Sequence, residues 1–319
     1  MENDLSTFPD GLFQYGGQPV GALWASPWST ARFVDGEDGN DNNSGLKPTE
    51  AKATIQAAVT ASTRGDVIYV RPEQYTGGTG FSRYTEEVTV TAGASAGSAT
   101  HFENADISII GCVRSANPEY GVRWKHLTDT TGYCLINDAP ALHLENIGFF
   151  AEGALGALLY RNNAATTTRR GSDGSTIYNC VIKGAPVQIS DGGDGFCVQN
   201  TRFHCAFGGT VAALNYTCSA NPGRRLLVRN CEWQDGNGTT SSGPCITILP
   251  PMTEILIRDC YFGQEPTGAV YIQTAGANYG LVANCFFNHD DLDTDASISL
   301  GTGVKAVGCF DQAGIATTA

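Results

Sequence analysis

Acidic residues gather in short Gly- and Asn-containing segments in the second half of this chain, and paired carboxylates are the groups that hydrolyse glycosidic bonds. Asp191 and Asp194 lie close together in one such segment, and Asp291 lies in an acidic cluster of another. Glycoside hydrolysis needs two carboxyl groups that face each other across a groove, a few ångströms apart. These three aspartates are therefore candidates for catalysis.

The same segments have a simpler interpretation, because Asp beside Gly and Asn is a common turn residue. Glu232 is an acidic candidate outside such a segment. Calcium-assisted elimination would need paired acids for Ca²⁺ and a nearby arginine as base, and no acid and arginine recur at matching offsets in neighbouring repeats. Arg229 and Arg258 do stack one repeat apart, and we interpret them as part of a solvated face. We therefore assign no catalytic residue and keep the three aspartates only as candidates.

Two groups of potential metal ligands also have structural interpretations. The loop at 35–41 has the oxygen ligands that Ca²⁺ prefers, but it lacks a glutamate at the twelfth position and is rich in Gly and Asn, as turns are. Cys197, His204 and Cys205 have no second pair at the ligand spacing of a zinc site. We predict no metal and no cofactor.

A short phrase recurs along the chain: an alternating apolar segment, an Asn or Asp, usually a Cys, and a second apolar segment. Alternation at period two predicts β-strands, and an Asn between two strands predicts a tight bend because Asn tolerates the left-handed conformation. The bends are predicted at Asn146, Asn179, Asn200, Asn230, Asp259 and Asn284, with Gly308 in a last, degenerate copy.

The bends lie roughly 20 to 35 residues apart, which is typical of a stacked repeat architecture. A further strand is predicted between copies, as at 157–160 and 186–190, with no helical pattern between the strands. We therefore predict an all-β chain folded as a right-handed parallel β-helix. The residue after each bend is expected to join one buried column, formed by Cys180, Cys231, Cys260, Cys285 and Cys309.

The N-terminal part of the predicted solenoid has its own order of elements. A strand and an acidic loop lead into a short amphipathic helix at 54–59, and the first buried strand follows at 66–72. This order resembles the N-terminal region of pectate-lyase-like β-helix proteins, in which a helix caps the open end of the solenoid. We divide the chain into an extended arm at 1–30, a capping region at 31–72 and the β-helix at 73–319.

Composition excludes several classes of partner. The chain has 19 basic and 32 acidic residues and a net charge of −13, which argues against a nucleic-acid partner. No apolar run reaches the roughly 20 residues of a membrane span, and the first 30 residues lack the apolar core of a signal peptide. Because the predicted column explains the cysteines as buried thiols, we expect assembly in a reducing cytoplasm.

The arm at 1–30 is rich in large apolar side chains but has no period. These rings are too numerous to leave in water, and each would bury on the order of 150 to 250 Å². An arm folded along its own solenoid is one possibility; an arm docked on another subunit is the other. We predict the docking role, with these contact residues: Phe8, Leu12, Phe13, Tyr15, Trp24 and Trp28.

The sequence also resembles the short, Gly- and Thr-rich β-helix proteins of bacteriophages. That resemblance implies a non-enzymatic virion protein, either a capsid decoration protein or an appendage, assembled in the host cytoplasm as a homotrimer. Its arm would bind a capsid or other virion protein, and a host surface glycan is a further possible partner. The alternative is a carbohydrate-active enzyme, either a tailspike-type depolymerase or a polysaccharide lyase. A carbohydrate-binding module is the third interpretation.

Overall fold

Three sheets, each built from one short strand per coil, form the body of the protein in a computed structural model. The described part contains thirty strands, numbered β1–β30 in chain order. Two of these strands, β1 (Gln14–Tyr15) and β2 (Gln18–Pro19), form a separate antiparallel pair before the three large sheets. The structure describes residues 14–15, 18–19, 29–72, 84–91, 105–112, 121–126, 132–151, 156–161, 171–184, 186–190, 193–204, 212–217, 223–234, 243–249, 252–263, 271–274, 278–288, 298–310 and 316–317.

The first sheet is parallel throughout and has ten strands. In order, they are β3 (Ala31–Val34), β4 (Val67–Val70), β7 (Ser108–Gly111), β10 (His143–Glu145), β13 (Thr176–Tyr178), β16 (Cys197–Gln199), β19 (Gly223–Arg229), β22 (Met252–Arg258), β25 (Tyr279–Ala283) and β28 (Gly303–Val307).

The second sheet is parallel except for its last pair. Its strands are β5 (Tyr84–Thr85), β8 (Val122–Lys125), β11 (Ile147–Phe150), β14 (Val181–Lys183), β17 (Arg202–His204), β20 (Glu232–Gln234), β23 (Tyr261–Phe262), β26 (Phe286–Phe287), β29 (Cys309–Phe310) and β30 (Ala316–Thr317).

The third sheet closes each coil and has eight parallel strands. They are β6 (Val88–Val90), β9 (Tyr133–Asn137), β12 (Gly156–Tyr160), β15 (Val187–Ser190), β18 (Leu214–Thr217), β21 (Ile246–Ile248), β24 (Ile272–Thr274) and β27 (Ile298–Ser299). The chain passes from first to second to third sheet and then starts the next coil, which confirms the predicted parallel β-helix.

A single left-handed residue turns the chain from the first sheet into the second, as predicted. We call these residues the downstream bends, and their φ angles lie between +49° and +63°. Asn and Gly tolerate this conformation because they avoid most of the clash that a larger side chain makes there. The side chains also connect neighbouring coils: Asn179 Nδ2 donates to Asn146 Oδ1 at 2.6 Å, and Asn284 Nδ2 donates to Asp259 Oδ1 at 3.4 Å.

A second set of left-handed residues lies just before the first-sheet strands or, in β19 and β22, within their first half, and the sequence analysis did not predict it. We call these the upstream bends. They are Gly65, Asp106, Ala141, Gly174, Gly195, Arg225 and Glu254.

The predicted cysteine column is confirmed, because all five side chains are buried. Each Sγ also lies 3.2 to 3.8 Å from the carbonyl oxygen two residues earlier, the one just before the bend. Two coils lack the cysteine: Thr201 follows Asn200, and its hydroxyl donates to Gln199 O at 3.0 Å, whereas the buried Ile147 follows Asn146. From Cys180 onward the column is therefore a row of small side chains that each carry one hydrogen-bond donor.

Aromatic rings fill the neighbouring column of the core. Phe203, Trp233, Phe262 and Phe287 stack with centroid separations of 4.9, 4.5 and 4.7 Å. The separations match the spacing of neighbouring strands, about 4.7 to 4.9 Å, so each ring packs face to face with the ring of the next coil.

A helix closes the N-terminal end of the core. Helix α1 (Ile55–Ala61) confirms the predicted capping helix, and a 3₁₀ turn (Pro48–Glu50) precedes it. Thr54 caps α1 by accepting a hydrogen bond from Ala57 N, and the Glu86 carboxylate accepts from the N–H groups of Ile55 and Gln56. These acceptors satisfy backbone donors that the first turn of a helix leaves without partners.

Two basic side chains from outside the acidic loop at 35–41 bind to it. Arg71 binds the carboxylates of Asp35 and Asp38, and the Lys52 ammonium donates to the carbonyl oxygens of Asp41 and Asn43 at 2.9 and 2.8 Å. Burial alone would raise the pKa of Asp35, but hydrogen bonds from Arg71 and backbone N–H groups hold it below its usual 3.8. The loop is therefore held by internal ion pairs.

Candidate functional site

The outer face of the first sheet presents two columns of side chains. Strand residues alternate between the core and the outside, so positions one and three residues before each downstream bend point outward. The column one residue before the bends is mostly polar and contains Glu145, Tyr178, Gln199, Arg229 and Arg258 in neighbouring strands.

The column three residues before the bends changes character along the solenoid. Its polar part consists of Ser108, His143 and Thr176, and its apolar part of Cys197, Leu227 and Leu256.

The N-terminal half of this outer face is closed, and the next part of it is open. His143 is only 5 % exposed, and Ser108 and Thr176 are also buried. Beyond them lies an open groove of about 440 Å³ with a floor formed by Cys197, Leu227 and Leu256. The upstream bend residues Gly195, Arg225 and Glu254 form its rim.

Two arginines of the polar column share one carboxylate, two residues along their strands from the groove floor. Arg258 Nε lies 2.8 Å from Asp259 Oδ2, and Arg229 Nε lies 3.7 Å from the same oxygen. The hydrogen bond from Arg258 is the main reason that the pKa of Asp259 lies below its usual 3.8, and Asn284 and Arg229 add to the effect. Two guanidinium groups and one carboxylate leave this part of the polar column with a net positive charge, while the two charged residues of the groove rim, Arg225 and Glu254, form an ion pair at 3.9 Å.

A His–carboxylate pair lies on β10, in the closed half of the outer face, two strands from the groove floor at Cys197. His143 Nε2 and Glu145 Oε2 are 3.0 Å apart, and Asn146 Nδ2 donates to Glu145 Oε1 at 3.4 Å. The Glu145 side chain is 16 % exposed. Tyr178 occupies the position beside Glu145 on the next strand, and Gln199 follows Tyr178. An oriented carboxylate beside a phenol can act as a base and an acid.

The structure separates the acids that the sequence analysis considered for catalysis. Asp191 and Asp291 lie outside the described residues. Asp194 is exposed at the rim of the groove, directly before Gly195, and its N–H donates to Asp173 Oδ1 at 2.8 Å. Glu232 lies on the second sheet, where it forms an ion pair with Arg202 at 3.0 Å.

Distances along the solenoid decide which reaction the outer face suits. Hydrolysis requires two carboxyl groups roughly 5 to 9.5 Å apart. Four strand spacings separate Glu145 from Arg258 and its neighbour Asp259, which is about 19 Å. Among the described residues of the polar column, Glu145 is therefore a single carboxylate, and it suits proton abstraction better than two-carboxylate hydrolysis.

Two aromatic residues that follow downstream bends have different environments. Trp233 is fully buried in the aromatic stack, whereas Tyr261 is 42 % exposed on the second sheet. Of the predicted docking residues of the arm, Tyr15 belongs to β1, and nothing is described of its side chain. Phe8, Leu12, Phe13, Trp24 and Trp28 lie outside the described residues.

Sequence reasoning missed Glu145, Tyr178 and Gln199 as site residues, although they stand within the recurring phrase. Their common position directly before a bend was the available signal, and it identified only Arg229 and Arg258. That reasoning interpreted these two as a solvated face; the structure places them beside an open groove.

The described residues contain no group of three or more His, Cys, Asp or Glu side chains placed to hold a metal ion. In the same part of the chain, no helix is long and apolar enough to cross a membrane.

Comparison with known proteins finds similarity in structure only. No protein-family model and no curated protein matches the sequence. A rhamnogalacturonan lyase is similar over 82 % of this chain and 69 % of its own, with a TM-score of 0.54 and 13 % identity. An alginate lyase from Paenibacillus sp. str. FPU-7 is similar over 81 % of this chain and 92 % of its own, with a TM-score of 0.50 and 12 % identity. At this identity the comparison establishes the β-helix fold.

Proposed function

We propose that this chain is a carbohydrate-active β-helix protein that binds an acidic polysaccharide along the outer face of the first sheet and cleaves it by elimination. The observation that carries the proposal is one line of side chains, with Glu145 and Tyr178 at one end and Arg229 and Arg258 at the other, beside an open groove. Both structural neighbours bear the names of polysaccharide lyases, which supports a carbohydrate substrate over a purely structural role.

Binding follows from the two unlike sides of the groove. An extended sugar chain that lies along the solenoid axis meets one strand about every 4.8 Å. Arg229 and Arg258 offer planar donors that match a carboxylate, while Leu227 and Leu256 offer an apolar floor for the hydrophobic face of a sugar ring. The groove therefore fits a polymer with acidic groups along one edge.

Elimination is assigned to Glu145 and Tyr178, which lie two strands and one strand before the groove floor at Cys197. Glu145 takes the proton from the carbon beside a sugar carboxylate, and the C–H electron pair forms a carbon–carbon double bond. The bond from the adjacent carbon to the glycosidic oxygen breaks, and that oxygen keeps the bonding electrons and receives a proton from Tyr178. Gln199 donates to the carboxylate as negative charge develops on it.

Activity assays on alginate, polygalacturonate and rhamnogalacturonan test the proposal. Elimination creates a double bond conjugated with a carboxylate, so cleavage is followed by the rise in ultraviolet absorbance. We expect Glu145→Gln and Tyr178→Phe to lower the rate by about 100-fold or more. Arg229→Gln should raise KM with a smaller effect on kcat, because this residue binds substrate away from the reacting bond.

Asp194→Asn is the control, because Asp194 lies on the rim and takes no part in elimination. The proposal is wrong if none of the three polymers gains absorbance, or if Glu145→Gln and Tyr178→Phe cleave as fast as the parent protein. Sugar fragments without new absorbance that disappear in Asp194→Asn would assign hydrolysis to Asp173 and Asp194 instead. Binding without cleavage would leave a carbohydrate-binding module.

Attachment to a bacteriophage particle is a separate proposal. It rests on the resemblance of the sequence to phage β-helix proteins, and it is compatible with cleavage because tailspike-type depolymerases combine both roles. Localisation to purified virions, measured by mass spectrometry of the particles, would test it; absence of the chain from intact particles would refute it.

A further inference from the structure

Exposed hydrophobic side chains concentrate at the C-terminal end of the solenoid. Six large hydrophobic residues of the described chain are exposed, and Tyr261, Tyr279, Val307 and Phe310 all lie in the last three coils. Exposed apolar residues are common singly, but a contiguous group marks an interaction surface. This clustering is therefore a feature to explain apart from the groove.

The side chains of Tyr261, Phe286 and Phe310 form an outward column on the second sheet, in which Phe286 is half-buried. Tyr261 pairs with Phe286, and Phe286 pairs with Phe310 on the next strand. Val307 lies just across the bend from Phe310 and is 56 % exposed. We call these four residues the apolar ridge.

The orientation of the rings decides what they can bind. Tyr261 and Phe286 are 5.4 Å apart with an interplanar angle of 7°, so they stack on each other along the solenoid axis. One face of each of these two rings is therefore covered by the other ring. A sugar ring stacks on an aromatic face, so these rings suit a protein surface better than a glycan.

Charge disappears from this corner over the last two coils. The residue before the bend changes from Arg258 to Ala283 and then to Val307. The bend itself changes from Asp259 to Asn284 and then to a glycine. The chain as a whole has a net charge of −13, so two copies repel each other across most of their surfaces. The described residues at these two positions carry no charge in the last two coils, and the exposed Lys305, two residues before Val307, is a cation, so the repulsion between acidic copies is weak here.

We propose that the apolar ridge is the surface through which copies of this chain associate. The ridge is identical on every copy and runs along the solenoid axis, so it can pack against itself across a symmetry axis. Burial of Phe310 and Tyr261 against the same residues of a second copy removes them from water without bringing charged groups together. The inference is independent of the proposed function, because three ridge residues lie on the second sheet and Val307 lies two strands beyond the groove on the first.

Sedimentation velocity and light scattering measure the association. We expect the parent protein to be oligomeric at micromolar concentration and the double variant Tyr261→Glu/Phe310→Glu to be monomeric. The dissociation constant should rise at least about 30-fold, as for the loss of a central interface residue. Added salt should strengthen association of the parent protein, because it screens the repulsion between copies.

Leu46→Glu is the matched control. Leu46 is 50 % exposed, but it lies in the N-terminal loop, far from the ridge along the chain, so this variant should associate like the parent. Tyr261→Ser/Phe310→Ser, checked by circular dichroism, guards against misfolding caused by the new charges. A monomeric parent protein overturns the proposal, as do folded ridge variants that associate as tightly as the parent.

Discussion

The cysteines after the downstream bends combine two properties that few side chains share. Each is small enough for a column in which every coil adds one residue, and each brings a weak S–H donor to the carbonyl before its bend. Thr201 in the same column also carries a donor, whereas Ile147, which follows the bend at Asn146, carries none, so the two properties have to be tested separately. Burial raises the pKa of the Cys180 thiol to about 12, so the thiol stays protonated at neutral pH.

A pair of variants with nearly equal volume separates these two properties. Cys260→Thr keeps a donor for Arg258 O, whereas Cys260→Val removes it. We expect the valine variant to be less stable than the threonine variant by about 1 kcal/mol, the usual net value of one hydrogen bond. Urea unfolding of both variants measures the difference.

Cys260→Asp serves as the reference for severe damage and should lose more than about 4 kcal/mol, because it places an unpaired charge in the core. If the valine variant is as stable as the threonine variant, the column requires only small apolar side chains.

Residue type also decides what the sequence reveals of the site. The downstream bends were predictable because Asn is one of few residues that tolerate the left-handed conformation. The upstream bends were not, because they include Ala141, Arg225 and Glu254, which have no such preference. Tyr261 comes one residue after Cys260, and Trp233 comes two residues after Cys231. Alternation along the strand therefore points Tyr261 outward and Trp233 into the core.

Which part of the first sheet is open could not be derived from the sequence. The outward position before a bend is the same for Glu145 and Arg258, and the local pattern gives no sign that one stands beside a closed surface. Openness depends on what covers the face, and that is a long-range property. Pattern therefore predicts the coils and columns, and only the structure shows the groove.

Helix α1 is the element on which closure of the N-terminal end depends. Its short length makes it marginal by itself, since isolated helices of this size are unstable in water. Packing of Ile55, Ala58 and Val59 on the core and the acceptor oxygens of Glu86 at its first turn stabilise it. Burial raises the pKa of Glu86 above its usual 4.5, although the helix N–H groups act in the opposite direction.

The raised pKa makes the effect of Glu86 dependent on pH. A raised folded-state pKa means that the contribution of Glu86 to stability is complete below about pH 4.5 and declines as the pH rises through the folded-state value. The Glu86→Gln variant has no ionisable group at this position. The free energy of unfolding of the parent protein minus that of the variant should therefore fall from pH 4.5 to pH 7. Urea unfolding at both pH values measures it. A difference that grows with pH would show that the ionised carboxylate is the stabilising form.

At the scale of the whole molecule, the solenoid places its functions on separate faces and ends. The groove lies on the first sheet, the apolar ridge on the last coils of the second, and the capping helix at the N-terminal end. Each coil contacts mainly its neighbours, so stability is close to a sum over coils. Damage to one end should therefore leave the other end largely intact.

Deletion of residues 1–30 tests the role of the arm at this scale. The first sheet begins at Ala31, and α1 lies within the remaining chain, so we expect a folded protein with nearly unchanged far-ultraviolet circular dichroism. The truncated protein should still self-associate through the ridge but should lose binding to phage particles. Unfolding on truncation would show that the arm belongs to the core of its own chain.

The one-residue corner after the first sheet has a consequence for how this surface can diversify. Coil lengths differ, yet the downstream bends stay in line, so insertions are absorbed in the other connections. The residue before each bend alternates with core positions and contacts solvent or ligand instead. Substitutions can therefore change the outward side chains of the polar column one coil at a time, with little loss of folding free energy. Selection for a new polymer would therefore act on these outward side chains, while the core and the bends stay the same.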